Sequence, residues 1–446
     1  MSDATIDTAA QTDIGGPTAW RSGEMAARIR RRYRRERLFR ALGLTAILIA
    51  ASFLATLLWT IGSNGVNGFF QSEVELEIYF DPAAFGSLEG LTDQERTARL
   101  RGADYSRLVR ESMMARFPDV QGRRNIRQMT GIISSGARQT LRDMVMADPS
   151  LIGSRRDVWL LTSDDIDVYI KGNIDADLPE ADRRVKDVEI GWIETLRDED
   201  RVRTGFHARF LQVGDSREPE LAGIWGAVMG SFLTLSVTLL VAFPVAVLAA
   251  IYLEEFAPQN RWTDLIEVNI NNLAAVPSIV FGLLGLAVFL GTFNLPRSAP
   301  LVGGLTLALM TLPTIIIASR AAIKAVPPSI RDAARGLGAS PMQVVFHHVV
   351  PLAMPGILTG TIIGMAQALG ETAPLLMIGM VAFIVDVPGS ITDAATVLPV
   401  QIYLWADSPE RAFVEKTSAA ILVLLGFLIT MNALAIWLRN KFERRW

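Results

Sequence analysis

Two places in this 446-residue chain carry residues whose types and spacing could do chemistry. The first is Glu371, in Gly370-Glu-Thr-Ala-Pro374, set within an otherwise apolar run. A carboxyl group at membrane depth is costly and is kept where it faces a bundle interior or a wet path. Gln367 stands four residues earlier, on the same face of a helix, and Thr372 follows directly. Gly370 and Pro374 bracket the glutamate with residues that loosen a helix. Irregular backbone is tolerated at that depth only beside protein or water. These side chains could line a path for a polar solute; a hydrogen-bonded structural glutamate is the alternative. Asn269, Asn271, Asn272, Pro277 and Ser278 form a weaker polar group that reads as the start of a helix more readily than as a ligand site.

The second place is the segment from Ser329 to Pro351. Ser329-Ile-Arg331-Asp332 has the form of a capping-box start. Ala333, Ala334 and Leu337 extend it as a short helix stopping near Gly336 or Gly338. Ser340-Pro341-Met342-Gln343 then offers an N-cap, a proline at the first helical position and a glutamine at the third. Val344, Val345, Phe346, Val349 and Val350 give this second helix an apolar face. Two short helices hinged at a glycine make a rigid knob, which either docks a partner or caps a bundle.

Other chemistries are excluded by composition. With no cysteine there is no disulfide framework, thiolate metal site or cysteine nucleophile. The three histidines, His207, His347 and His348, do not have metal-ligand spacing. No Gly-Lys dipeptide occurs, so the chain has no P-loop. A net charge of −3 gives no signature of nucleic-acid binding.

The elements that position these residues are membrane spans. Half of the residues are hydrophobic, 20% are charged and the mean hydropathy is +0.31, where soluble chains carry about 25% charged residues. A hydrocarbon core of about 30 Å needs about 20 apolar residues in a helix. Six stretches qualify: Leu38–Ile61, Leu221–Tyr252, Val268–Leu290, Pro300–Ser319, Leu352–Val385 and Ser418–Leu438. Arg28, Arg30, Arg31, Arg32, Arg34, Arg35 and Arg37 precede the first and Arg40 lies in its first turn, which places the N-terminus in the cytoplasm. Six crossings return the basic tail (Arg439, Lys441, Arg444, Arg445) to the same side; splitting Leu352–Val385 at Pro374 would not. Glu254–Glu267, with one arginine, does not follow the positive-inside pattern. The first apolar run exceeds the about 7–15 residues of a signal peptide and lacks a clear cleavage site, so it reads as an uncleaved anchor.

Between the first two spans lies a polar insert, residues 63–220, with 29 acidic and 22 basic residues. Glu73–Phe80 alternates as a half-buried strand. Thr92–Phe117 and Asn125–Met146 read as amphipathic helices, and Val158–Leu161, Asp165–Ile170 and Val202–Val213 as strands. Arg183–Arg197 is ambiguous. This is a small α+β domain with no nucleophile–base pair, and it reads as a docking or structural insert. The expected order is a cytoplasmic Arg-rich segment (1–37), a first helix (38–62), the outer α+β domain (63–220), a five-helix domain (221–438) and a basic tail (439–446).

The segment Asp332-Ala333-Ala334-x3-Gly338-x12-Pro351 resembles the EAA loop of importer-type ABC permeases. Asp332 replaces the usual glutamate, and His348 and Val350 replace apolar residues. Ala274–Gly282 and Gly370–Leu376 look like the phosphate-importer branch of that family, a likeness covering roughly residues 220–440. The N-terminal segment and outer domain look like an extension found in one subset of that branch, in Gram-negative bacteria. The resemblance implies a mainly α integral membrane protein of the MetI-like type, with six transmembrane helices and an inserted periplasmic α+β domain. It implies a multi-pass subunit of the bacterial inner membrane, both termini cytoplasmic, that imports phosphate by alternating access and is not itself an enzyme. Its partners would be a second permease subunit, a dimeric ATPase that uses the ATP, a periplasmic phosphate-binding protein and membrane lipid; this chain would bind no cofactor. Arg331, Asp332, Ala333, Ala334, Gly338 and Pro351 would couple to the ATPase, and Ser278, Gln367, Glu371 and Thr372 would face the pathway. Family members often carry arginine where this chain has Gln367, so the cation that attracts phosphate would come from the partner subunit. A permease for molybdate, tungstate or sulfate is the nearest alternative. A membrane-anchored sensor lacks its signalling domain here, and a secondary transporter would show repeated halves.

Overall fold

The computed structural model describes residues 23–88, 90–175 and 178–442. The start of the expected N-terminal segment, and Arg444 and Arg445 of the expected basic tail, lie outside the described residues. The chain divides into two units, residues 1–60 and 61–446. Over its described residues the first is one helix, part of α1 (Gly23–Asn67). The arginines and the apolar run thus share one continuous helix, whose Leu38, Phe39, Ile47, Phe53 and Trp59 are exposed, as lipid contact allows.

The second unit begins with the polar insert. Strand β1 (Phe70–Tyr79) lies centrally between β2 (Arg155–Leu161) and β3 (Val202–Phe206), antiparallel to both. Alternation places Val74, Leu76 and Ile78 on the buried face, as period two requires. Around the sheet run α2 (Pro82–Phe85), α3 (Asp93–Arg101), α4 (Tyr105–Arg116), α5 (Arg123–Thr130), α6 (Ala137–Ala147), α7 (Asp164–Ile170) and α8 (Asp187–Asp198). Leu108, Met113, Leu141 and Ile193 close the core against the strands.

Four expectations change here. Thr92–Phe117 is two helices, because α3 ends at Gly102 and the Asp104 side chain caps the start of α4 by accepting from the Arg107 amide at 3.1 Å. Asn125–Met146 is likewise broken, between Gly131 and Gly136. Asp165–Ile170 is helical, not a strand: three aspartates in its first turn complement the positive end of the helix dipole, and that outweighs its short alternation. The last strand stops at Phe206, and Ala208–Leu211 forms a 3-10 turn. The ambiguous segment is the helix α8.

The membrane portion comprises α9 (Trp225–Ile251), α10 (Arg261–Ala274), α11 (Ser278–Gly285), α12 (Pro300–Lys324), α13 (Pro328–Gly336), α14 (Pro341–Gln343), α15 (Val350–Gly370), α16 (Ala373–Met377), α17 (Leu398–Ala406) and α18 (Ala412–Phe442). Five described helices are long and apolar enough to cross a membrane; α10 and α11, with its extension to Thr292, make a sixth that is bent by 101°. The run Leu352–Val385 is therefore not one rod, since α15 stops at Gly370. In lipid, helices associate through close backbone approach rather than hydrophobic driving force. Gly356 and Gly360 of α15 meet Ala322 and Ala318 of α12, where an added Cβ would lie 2.5 and 2.3 Å from the alanine methyls. Gly304 of α12 accepts a hydrogen bond from Thr238 of α9 at 3.2 Å.

A buried polar hub fixes the insert to the start of α18. The Lys171 ammonium donates to Asn67 O (3.1 Å), Asp167 Oδ2 (2.6 Å) and Glu415 Oε2 (3.0 Å), so all three of its protons are used. Asp167 Oδ1 accepts from the Ser72 amide at 2.7 Å, and Asn173 donates to Glu415. Lys416 donates to Gly68 O at 3.2 Å and lies 4.9 Å from the Phe210 ring centroid.

Two titratable groups beside the hub set a pH dependence. Burial, with the Asp164 and Glu218 charges, pushes the Glu220 carboxyl up to about 7, although Ser134 donates to it at 2.5 Å. Burial, with the Lys416, Arg209 and Lys171 charges, pushes His207 down to about 3. A raised carboxyl contributes stability present below its unfolded pKa of 4.5 and lost as pH rises to about 7. A depressed histidine contributes stability present above 6.5 and lost as pH falls toward 3. The two slopes oppose each other between pH 4.5 and 6.5, leaving a plateau there. Glu220→Gln should therefore melt higher than the wild type at pH 8, by up to about 3 kcal/mol, and equal it at pH 4. Thermal unfolding of the purified chain in detergent checks this, and a Glu220→Gln melting point below the wild type at pH 8 would contradict it.

Candidate translocation and coupling site

The knob forms, with one altered start. Helix α13 opens with Pro328 at its first position and Pro327 before it, and no side chain caps it. The Ser329–Asp332 capping box is absent because the prolines already set the helical φ and remove a donor. The chain turns at Gly338, whose φ of +86° suits glycine. The Ser340 capping box is present: its amide donates to Gln343 Oε1 at 2.9 Å, and its hydroxyl accepts from the Gln343 amide at 3.4 Å. A π-helical turn, Val344–Val349, leads into α15. Ala334, Val344, Val345 and Val349 bury against Ala250, Ile251, Ile323 and Val326 of the α9 and α12 ends.

The residues expected to couple divide by exposure. Asp332, Ala333 and Gly338 are exposed at the tip, where Leu337 is 91% exposed. Arg331 is turned inward. Its guanidinium lies 2.6 Å from Glu255 and donates to the carbonyls of Val326 (2.6 Å) and Ile323 (3.0 Å). Pro351 sits half-buried in the first turn of α15. Arg320 pairs with Glu254 (3.3 Å) and Glu267 (3.1 Å).

These pairs account for the segment that breaks the positive-inside pattern, because its glutamates are neutralised by Arg320 of α12 and Arg331 of α13. Glu255 itself went unrecognised in the sequence. The signal was present: two adjacent acids directly after a span.

At the other end of α15, the helix ends at Gly370 and Glu371 is extended, with φ −79° and ψ 124°. Gln367 and Glu371 therefore do not share a helical face; Gln367 is exposed and Glu371 half-buried. Among the described residues the Glu371 side chain has no hydrogen-bond or ion-pair partner. The following helix α16 packs on α11 so closely that a Cβ on Gly282 would lie 2.7 Å from Pro374 Cα. Ser278 opens α11, one turn before Gly282 and directly after the 101° bend. Two backbone breaks, at Ala275–Pro277 and Glu371–Thr372, thus flank one helix crossing and bring Ser278, Glu371 and Thr372 to the same junction. Asn269, Asn271 and Asn272 lie in the body of α10 rather than at a helix start; Asn269 donates back to Leu265 O at 2.7 Å. Helix α15 spans 21 residues, about 30 Å at 1.5 Å per residue, and is one rod between knob and junction. Among the described residues no group of three acidic or histidine side chains could hold a metal ion.

Residues 242–446 match the family described as binding-protein-dependent transport system inner membrane component, and residues 26–180 match a domain of unknown function, DUF3333. The phosphate transport system permease protein PstA 1 of Mycobacterium tuberculosis (strain CDC 1551 / Oshkosh) is 30% identical over 255 residues, 57% of this chain and 81% of that protein. PstA of Haemophilus influenzae is 29% identical over 226 residues, 51% of this chain and 78% of that protein. Among solved structures, the inward-facing MetNI methionine ABC transporter covers 50% of this chain and 95% of its own, at 17% identity and a TM-score of 0.39. With its bent third span, its glycine-hinged knob and relatives of this likeness, the chain belongs to the PstA family of phosphate transport system permeases.

Proposed function

We propose that this chain is the phosphate permease subunit of an ATP-driven importer, working by alternating access. The observation that carries the mechanism is α15, which joins the exposed knob at one end to the Glu371 junction at the other. A push on the knob is transmitted along a hydrogen-bonded rod to two backbone breaks, where the bundle can change shape. The exposed Asp332, Ala333, Leu337 and Gly338 meet a separate dimeric ATPase of the PstB kind, which uses the ATP. Arg331, Ala334 and Pro351 hold the knob in place. A second permease subunit, PstC-like, completes the pathway, and a PstS-like phosphate-binding protein delivers the anion. The chain sits in the bacterial inner membrane with both termini in the cytoplasm. Its segments fall at 1–37, 38–62, 63–220, 221–438 and 439–446, and it carries no cofactor of its own.

Within the pathway, Ser278, Thr372 and Gln367 supply uncharged donors. Glu371 orders a cation from the partner subunit rather than holding phosphate, since two anions repel unless a positive charge stands between them. That its carboxylate has no partner among the described residues supports that role. Radiolabelled phosphate uptake, with the assembly co-purified, tests the reading. Glu371→Ala should lower uptake at least about tenfold, one lost charge-assisted bond, with the ATPase still bound. Unchanged uptake removes the role for Glu371, and an assembly with no ATPase removes the coupling reading.

A further inference from the structure

The polar insert carries an arginine-lined depression of about 640 Å³ that the transport reading does not use. Arg101 ends α3, while Arg138 and Arg142 lie one turn apart at the start of α6. All three line it, together with Ser106, Ser135 and Gln139. Some arginines of the insert are ion-paired, as Arg107 is with Asp81 and Glu111, Arg155 with Glu77 and Arg203 with Glu73. What sets Arg101, Arg138 and Arg142 apart is that they converge on one hollow. Arg101 has no side-chain partner among the described residues. Arg138 donates only to the carbonyl of Ser135, at 3.3 Å, and Arg142 reaches only the exposed Asp143, at 3.4 Å. Asp104, also in the wall, caps α4 through one oxygen and keeps its charge, so the lining holds three guanidiniums against one carboxylate. Behind the wall, Arg209 donates to Gln139 Oε1 at 2.8 Å, which leaves the Gln139 amide as a donor.

Three guanidiniums against one lining carboxylate leave the hollow net positive, which favours an anion. Planar, multidentate donors of this kind suit the oxygens of a phosphate-type group. We propose that this depression binds a phosphate-class oxyanion, either free phosphate or a phospholipid headgroup. Its position gives the site a consequence. Leu221 lines it and packs on Gly136, where an added Cβ would lie 2.3 Å from Leu221 Cδ2. The neighbouring Glu220 accepts from Ser134, and α9 begins five residues after it. An occupant held by Arg138 and Arg142 therefore bears on the segment that leads into α9.

The test uses the full chain in phosphatidylcholine nanodiscs, dialysed to equilibrium against radiolabelled inorganic phosphate. In parallel, native mass spectrometry records anionic phospholipid retained from the membrane. Arg138→Gln/Arg142→Gln should weaken phosphate binding at least about tenfold, or lose the retained lipid, at an unchanged melting temperature. Phosphate binding assigns the free anion, and retained lipid assigns the headgroup. Phosphate held in the membrane bundle would not respond to these arginines, which separates this site from the translocation reading. Absence of both ligands from the wild type, or equal binding by the variant, overturns the proposal. Should the double variant unfold, Arg101→Gln decides on the same two readouts.

Discussion

Replacing Arg331 by methionine should unseat the knob and stop coupled transport while leaving the transmembrane helices folded. The guanidinium is 15% exposed and the Glu255 carboxylate 8%. Removing one partner of a buried pair strands the other charge, at a cost of about 3–5 kcal/mol. The two carbonyls that Arg331 satisfies, at Val326 and Ile323, lose their donor as well. That cost falls on a segment held otherwise by four small or β-branched side chains, so the local equilibrium shifts toward release. Hydrogen exchange in nanodiscs reads this directly: amides of 328–349 should exchange orders of magnitude faster in Arg331→Met, and those of α12 should not. The double variant Glu255→Met/Arg331→Met removes both charges and should be milder than Arg331→Met alone, the signature of a coupled pair. Unchanged exchange in the single variant would show that the apolar contacts suffice and that the ion pair is incidental.

The second large effect is expected at Lys171. Its ammonium joins three elements, the end of α1, α7 and α18, and Lys171→Met leaves Asp167 and Glu415 buried, like-charged and facing each other. Their side chains are 4% and 11% exposed, so solvent screens them little. A loss of about 3–5 kcal/mol is expected, seen as a lower melting temperature and early proteolysis within residues 63–220. Lys171→Met/Glu415→Leu should recover part of it, because Asp167 keeps the Ser72 amide. A Lys171→Met chain that melts like the wild type would mean that Phe210, Trp405 and Phe413, which pack beneath the hub, carry the attachment alone.

Much of this molecule is local in origin and can be read without coordinates. The spans are legible because a bilayer demands long apolar runs. The Ser340 box and the Gly338 hinge are legible because capping and positive φ depend on residues a few positions apart. Strand β1 follows from its alternation. The family could be recognised from the Asp332–Pro351 and Gly370–Leu376 motifs, since both are contiguous.

What the tertiary structure alone decided involves residues far apart in the chain. The inward turn of Arg331 depends on Glu255, 76 residues earlier, and the hub pairs Lys171 with Glu415 across 244 residues. The helix at Asp164–Ile170 went unread because its period-two alternation competes with an acidic first turn, and packing on β1 and α18 settles which prevails. The break at Glu371 was foreseen as looseness, but only the approach of Pro374 to Gly282 shows that it faces a second break at Ala275–Pro277. Burial fixes the remainder: a charge that would cost little in water is costly in a dry interior, so its partner is chosen by the fold rather than by its neighbours in sequence.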